Sequence, residues 1–221
     1  MKDLLRMLVS GTLGMAVFGS LLFVPAGTFN YWQAWVFLAV IVTASWISSI
    51  YFLRTNRAAL QRRKLATETR MAQKLIAAGI AALWAAMVVV SVLDHRFGWS
   101  AVPAAISLIG DVLVAVGIGL VVLVIVQNSH AAVTVRVEEG QQLVSTGLYG
   151  RVRHPMYTSN IFLLVGTPLA LGSYWGLLFV VPGLLVFAVR IRDEEKLLSE
   201  ELAGYREYMQ RVRYRLVPGI W

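Results

Sequence analysis

Residues 156–189, MYTSNIFLLVGTPLALGSYWGLLFVVPGLLVFAV, carry no charged side chain. As one straight helix this run would be about 50 Å long at ~1.5 Å per residue, well beyond a hydrocarbon core of ~30 Å. Leu171-Gly172-Ser173-Tyr174 supplies a break, and Pro168, Pro182 and Gly183 weaken helical continuity on either side of it. The run therefore reads as a hairpin of two arms of roughly 15 residues each. Polar clusters flank it: Gly147-Leu148-Tyr149-Gly150-Arg151-Val152-Arg153-His154-Pro155 before, and Arg190 with Asp193-Glu194-Glu195 after.

Three more nearly charge-free runs precede the hairpin. No charge falls between Met7 and Leu53 or between Leu75 and Leu93, and Asp111 is the only one between Phe97 and Val135. Each run is long enough to span a bilayer, and charged residues make up only 14% of the chain against the roughly 25% of a soluble domain. The fold class is thus an all-α integral membrane protein. Pro25-Ala26-Gly27-Thr28-Phe29-Asn30 divides the first run into two helices, with Tyr31, Trp32 and Trp35 as interfacial aromatics. The first helix reads as retained rather than as a cleaved signal, because a second apolar run follows it directly.

Net charge is +8, and of the twenty basic residues only Arg96 falls in a loop of the opposite parity to the rest. This positive-inside distribution places both termini in the cytoplasm, with a bacterial inner membrane as the expected location. The basic residues before Met156 and after Val189 share a side only if an even number of crossings separates them. The count becomes six spans, or four plus a re-entrant pair. Basic loops so arranged speak for orientation and membrane lipids as partners, not nucleic acid. The chain has no cysteine, which excludes disulfides and thiolate chemistry, and His95, His130 and His154 are too scattered for a metal site. Residues 1–126 form transmembrane helices 1–4. Residues 127–221 form a second region that includes the hairpin and a tail, Arg190 to Tyr208, whose Leu197, Leu198 and Leu202 among charges suit an amphipathic helix on the cytoplasmic surface.

The polar clusters admit two readings each. Arg151 and Arg153 are either orientation anchors or, for Arg153 beside His154-Pro155, part of a site; His154 could simply mark a helix start at Pro155. Glu194 and Glu195 are either solvated like Glu200, Glu201 and Glu207 or ligand contacts. Asp111 either faces a cavity or snorkels to an interface, and Tyr205 and Tyr208 read as packing or headgroup contacts. No stretch holds a Gly-x-Gly-x-x-Gly fingerprint or is long enough for a nucleotide-binding sheet, so a nucleotide-like ligand must be held by helix ends and short loops.

Leu143-Val144-Ser145-Thr146-Gly147-Leu148-Tyr149, Arg153-His154-Pro155-Met156-Tyr157, the apolar hairpin, Arg190 with Glu194-Glu195, Gly204-x-x-x-Tyr208 and Tyr214-Arg215-Leu216-Val217-Pro218, in that order, resemble the isoprenylcysteine carboxyl methyltransferase family. Phospholipid N-methyltransferases belong to the same broad group, and the resemblance covers about 127–221. It implies an integral-membrane enzyme that uses S-adenosyl-L-methionine on a lipophilic substrate drawn from the bilayer. Cofactor contacts are implied for Gln142, Leu143, Val144, Gly147, Tyr149, His154, Pro155, Met156, Tyr157, Glu194 and Glu195, and catalytic roles for Arg153, Arg190 and Glu195. The family often has His where this chain has Gln141. The residue chemistry agrees, since a sulfonium cofactor with an ammonium and a carboxylate needs both signs of charge, which Arg153, His154, Glu194 and Glu195 supply. Two other readings stand beside it. Membrane sterol reductases, which use a nicotinamide cofactor, share an Arg-His-Pro and a Tyr-Arg-x-x-Pro ending, and a scaffold could use the basic face merely to bind lipid.

Overall fold

The computed structural model describes residues 2–55, 71–129 and 140–221. The basic run Arg57–Arg70, Arg136, and Glu138 and Glu139 of the polar loop lie outside these residues. Among the described residues the chain is helical throughout, without strands. Helices α1 (Lys2–Ala26), α2 (Trp32–Thr55), α3 (Met71–Phe97), α4 (Ala104–Gln127), α5 (Pro155–Ala170), α6 (Val180–Glu201) and α7 (Tyr205–Arg211) follow in order, with 3-10 turns at Gly147–Gly150 and Trp175–Phe179. Trp32–Thr55, Gln73–Phe97, Ala104–Gln127 and Trp175–Glu201 are each long and apolar enough to cross a membrane. The protein is an integral membrane protein.

The short connections between α1 and α2, α3 and α4, and α5 and α6 meet at one end of the bundle, where polar side chains stitch them together. Asp94 accepts hydrogen bonds from the Ser100 amide (2.6 Å), the Ser100 hydroxyl (2.7 Å) and the Ser173 hydroxyl (2.5 Å). The Tyr31 hydroxyl donates to the Leu171 carbonyl at 2.6 Å, and its ring stacks on His95 with centroids 3.7 Å apart. Arg96, the one basic residue expected at this end, donates to the Pro25 carbonyl. The break expected at Leu171–Tyr174 is there, with Gly172 at φ +70°. This break lies level with the other two turns, and α5, which leads into it, has only 16 residues.

The second arm departs from expectation. Arg190 to Glu201 do not form a separate helix along the surface; they continue α6 without a break. Nothing between Val180 and Glu201 forces a stop past Pro182, and the chain turns only at Leu202, whose backbone is extended, before Gly204 opens α7. At the same end Gln73 of α3 donates to Asp193 of α6. Charged side chains after Val189 are thus carried on a rigid extension of a membrane helix rather than on a loosely attached tail.

Helices α4 and α5 approach closely along Gly110, Gly117 and Gly166. A Cβ added at Gly110 would sit 2.2 Å from the Ala170 nitrogen, and one at Gly117 would sit 2.8 Å from a Leu163 methyl. This contact carries α5, and with it the start of the polar site, against the membrane bundle. Asp111 is buried, its two carboxylate oxygens have no hydrogen-bond partner, and the same holds for the Ser107 hydroxyl one turn away. Gly110→Ala should destabilise the fold by about 1–3 kcal/mol through overpacking, whereas Gly119→Ala in the same helix, with open space around it, should be neutral or slightly stabilising. Thermal melts of the two variants in detergent check this; equal midpoints would show that the helices separate freely.

Candidate active site

At the end of the bundle opposite the three turns, a cavity of about 650 Å³ opens between α3, α4, α5, α6, α7 and the loop 141–149. Its wall changes character along its length. Ile80 and Trp84 of α3, Ile118 of α4, Leu163 and Leu164 of α5 and Phe187 of α6 form an apolar half within the bundle. Gln142, Tyr149, Arg153, His154, Tyr157, Arg190 and Glu194 form a polar half beyond it.

Local sequence explains how the polar half is held. His154 caps α5 with Pro155 in the first helical turn, where a missing amide hydrogen is harmless. The amides of Arg153 and His154 donate to the carbonyls of Tyr214 and Arg215, both at 2.9 Å, so the approach to α5 is laced to the segment after α7. The Thr158 hydroxyl adds a bond to the Leu216 carbonyl. On α6, Arg190 and Glu194 lie one turn apart on one face. The Arg190 Nε donates to the Tyr157 hydroxyl at 2.9 Å, and that hydroxyl donates to Glu194 Oε2 at 2.8 Å.

Glu195, a single residue further along α6, points about 100° round the helix and meets a different set of groups. Its Oε1 accepts from Arg153 Nε at 2.7 Å and lies 3.3 Å from His154 Nε2; its Oε2 accepts from Arg215 Nε at 2.9 Å. Both the Arg153 and Glu195 side chains are over nine-tenths buried. Arg153 also donates through Nη1 to the Val212 carbonyl at 2.9 Å and the Arg213 carbonyl at 3.0 Å. A carboxylate only accepts, so a hydrogen bond between these two side chains is one that His154 Nε2 donates.

Of the expected site residues, Gln142, Leu143, Val144, Tyr149, Arg153, His154, Pro155, Met156, Tyr157, Arg190 and Glu194 all line the cavity. Gly147 and Glu195 do not. Gly147 abuts Gln127, whose side-chain oxygen accepts from the Leu148 amide at 2.8 Å, and a Cβ there would lie 2.6 Å from that oxygen. Its contribution is to seat the turn that carries Tyr149. Glu195 sits behind the wall as the shared acceptor of three cationic or hydrogen-bearing side chains. Gln141 lines the cavity too, so an amide faces it there. Sequence reasoning missed Asn160, a lone amide in the charge-free run, and it missed Tyr205 and Tyr208, which line the cavity rather than only packing. Burial raises the Tyr149 hydroxyl to about 12, so it stays a neutral phenol across the physiological range.

Residues 106–203, from the start of α4 through the end of α6, match the model of the phospholipid methyltransferase family. The match is confined to this region. It contains most of the cavity wall, so the phospholipid methyltransferase match and the cavity concern the same part of the chain. A Delta(14)-sterol reductase from Mus musculus is 31% identical over 93 residues, a stretch that covers 40% of this chain and 22% of that protein. Among the described residues no group of three or more His, Asp or Glu side chains could hold a metal ion.

Removing the shared acceptor should unfold the corner it joins. Glu195→Gln leaves the buried Arg153 without its counter-charge and should cost about 3 kcal/mol of stability, while Glu201→Gln, exposed at the end of α6, should change the melt by less than about 0.5 kcal/mol. Detergent-solubilised thermal melts of both variants, without ligand, measure the difference. A Glu195 variant as stable as wild type would remove it from the scaffold.

Proposed function

We propose that the protein is an S-adenosyl-L-methionine-dependent methyltransferase whose acceptor is a lipophilic molecule from the bilayer. The observation that supports this best is the two-sided cavity: an apolar half continuous with the membrane bundle joined to a half lined by Tyr157, Arg190 and Glu194. The donor set fits the cofactor. Glu194 offers an acceptor-only carboxylate to an ammonium or a ribose hydroxyl, Leu143, Val144 and Leu198 offer apolar surface to a purine, and His154 and Met156 border the space between.

When bound, the cofactor supplies an activated methyl group on sulfur. The chain's residues then have to hold an acceptor in line with that group and keep water away. Arg190 is the side chain proposed to hold an anionic acceptor. Arg153, whose Nε and Nη1 are engaged by Glu195 and the carbonyls of Val212 and Arg213, is the residue proposed to position the site. A carboxylate acceptor, as in a prenylated thioether acid, loses no proton on methylation. An amine or thiol acceptor does, and Glu194 is the carboxylate within reach of the cavity to take it. Residues 127–221 act as the catalytic region on helices 1–126, with both termini and the polar half of the cavity on the cytoplasmic side, as the basic residues indicate.

The partial likeness to a sterol reductase keeps a nicotinamide-dependent reaction as the second reading. Isothermal titration of purified protein with S-adenosylhomocysteine and, separately, with NADPH decides between them. The methyltransferase reading expects micromolar binding of the first and none of the second. Binding of NADPH alone overturns it, and a protein that binds neither supports a scaffold. Glu194→Gln should weaken S-adenosylhomocysteine about ten-fold to a hundred-fold, the loss of one charge-assisted hydrogen bond. Orientation has its own test: single cysteines in place of Phe29 and Ile220, both exposed and at opposite ends, should label from opposite sides of the membrane. Labelling of both from one side would refute the topology.

A further inference from the structure

Four tyrosines line the cavity, and three of their hydroxyls are engaged. Tyr149 accepts from the Asn128 side chain at 3.2 Å, Tyr157 joins Arg190 to Glu194, and Tyr208 donates to the Tyr149 carbonyl at 2.7 Å. Tyr205 differs. It is only 3% exposed, yet its hydroxyl has no hydrogen-bond partner. A buried polar group left unmade is costly, and this one belongs to a residue of the cavity wall.

Its surroundings define that use. The ring is fixed by Leu202, Tyr208 and Val212, with Leu143 and Leu198 against them, so the hydroxyl cannot swing out to water without dismantling this cluster. The charges that act on the hydroxyl are Glu195, Glu194 and Arg153. Burial first, and then the two carboxylates, hold its proton on, so it enters any contact as a neutral donor.

We propose that Tyr205 is a ligand-recognition residue whose hydroxyl donates a hydrogen bond to a carboxylate on the molecule that fills the polar half of the cavity. Resting on the methyltransferase reading, that group is the carboxylate at the amino-acid end of the cofactor. An α-amino acid carries its ammonium and its carboxylate on one carbon, so if Glu194 takes the ammonium, a donor must stand within a few ångströms of Glu194 to receive the other group. Arg153 Nε and Nη1 are engaged elsewhere, whereas Tyr205 is among the residues that line the same cavity and its buried hydroxyl has no partner.

The test uses Tyr205→Phe and Tyr208→Phe in the full-length protein, with S-adenosylhomocysteine and 5′-methylthioadenosine as probes; the second keeps the nucleoside and lacks the amino-acid end. Without ligand, Tyr205→Phe should melt no lower than wild type because its hydroxyl supports nothing, whereas Tyr208→Phe should melt lower. In titration, Tyr205→Phe should bind S-adenosylhomocysteine about ten-fold more weakly and 5′-methylthioadenosine as wild type does. Unchanged affinity for S-adenosylhomocysteine, or an equal loss for both probes, overturns the proposal while leaving the methyltransferase reading intact. Wild-type protein that binds neither probe overturns that reading, and the proposal with it.

Discussion

The carboxylate of Glu195 is the constraint on which the polar end of this protein depends. It draws together Arg153 just before α5, His154 at the cap of α5 and Arg215 after α7, so two segments distant in sequence converge on a residue of α6. Bringing such charges out of water is costly unless every one is paired and hydrogen-bonded. The surrounding backbone meets that requirement: carbonyls of Val212 and Arg213 accept from Arg153, and the amides of Arg153 and His154 bond to the same returning segment. The corner is therefore fixed from both sides, and the side chains that face the cavity inherit their positions from it.

The division of labour between Glu194 and Glu195 follows from helix geometry. Because α6 continues unbroken from the apolar Val180 to Glu201, successive residues diverge by about 100°. One carboxylate of the pair meets the corner formed with Arg153 and Arg215, and the other meets Tyr157 and the cavity. Arg190, a full turn before Glu194, returns to the cavity face. Had the chain left the membrane and begun a new helix at Arg190, this register would be set by a loop; as built, it is set by the packing of Phe187 and Ile191 in the apolar core just below.

Much of this was legible in the sequence. Charge-free runs located the helices, Leu171–Tyr174 located the hairpin turn, and Leu143, Tyr149, Arg153-His154-Pro155 and Glu194 are among the residues that line the cavity. What the sequence could not carry was phase. Adjacent glutamates look alike until it is known which side of α6 meets Arg153 and which meets Tyr157, and Arg153 looks available until its carbonyl partners appear from residues 212 and 213. Leucines among charges suit a separate helix as well as they suit the end of a longer one, so composition does not show that Arg190 to Glu201 continue α6. Gly110 and Asp111 show the same limit. One allows two backbones to touch and the other is buried without a partner, and both facts belong to the partner helix rather than to α4.

The position of the cavity gives the charge pattern a chemical meaning. On the proposed reading, a lipophilic acceptor and a water-soluble charged cofactor have no common solvent, so the site has to offer each its own environment. Here the change of environment occurs along α5 and α6 themselves. On α5, Leu163 and Leu164 face the apolar half and Tyr157 the polar half; on α6, Phe187 gives way to Arg190 and then Glu194 in two turns. A rigid helix that crosses the boundary holds both environments in register, which a flexible tail could not do. The same rigidity accounts for the close glycine contact between α4 and α5: separation of those helices would move Tyr157 relative to Arg190, and the hydrogen-bonded line from Arg190 through Tyr157 to Glu194 tolerates little of it.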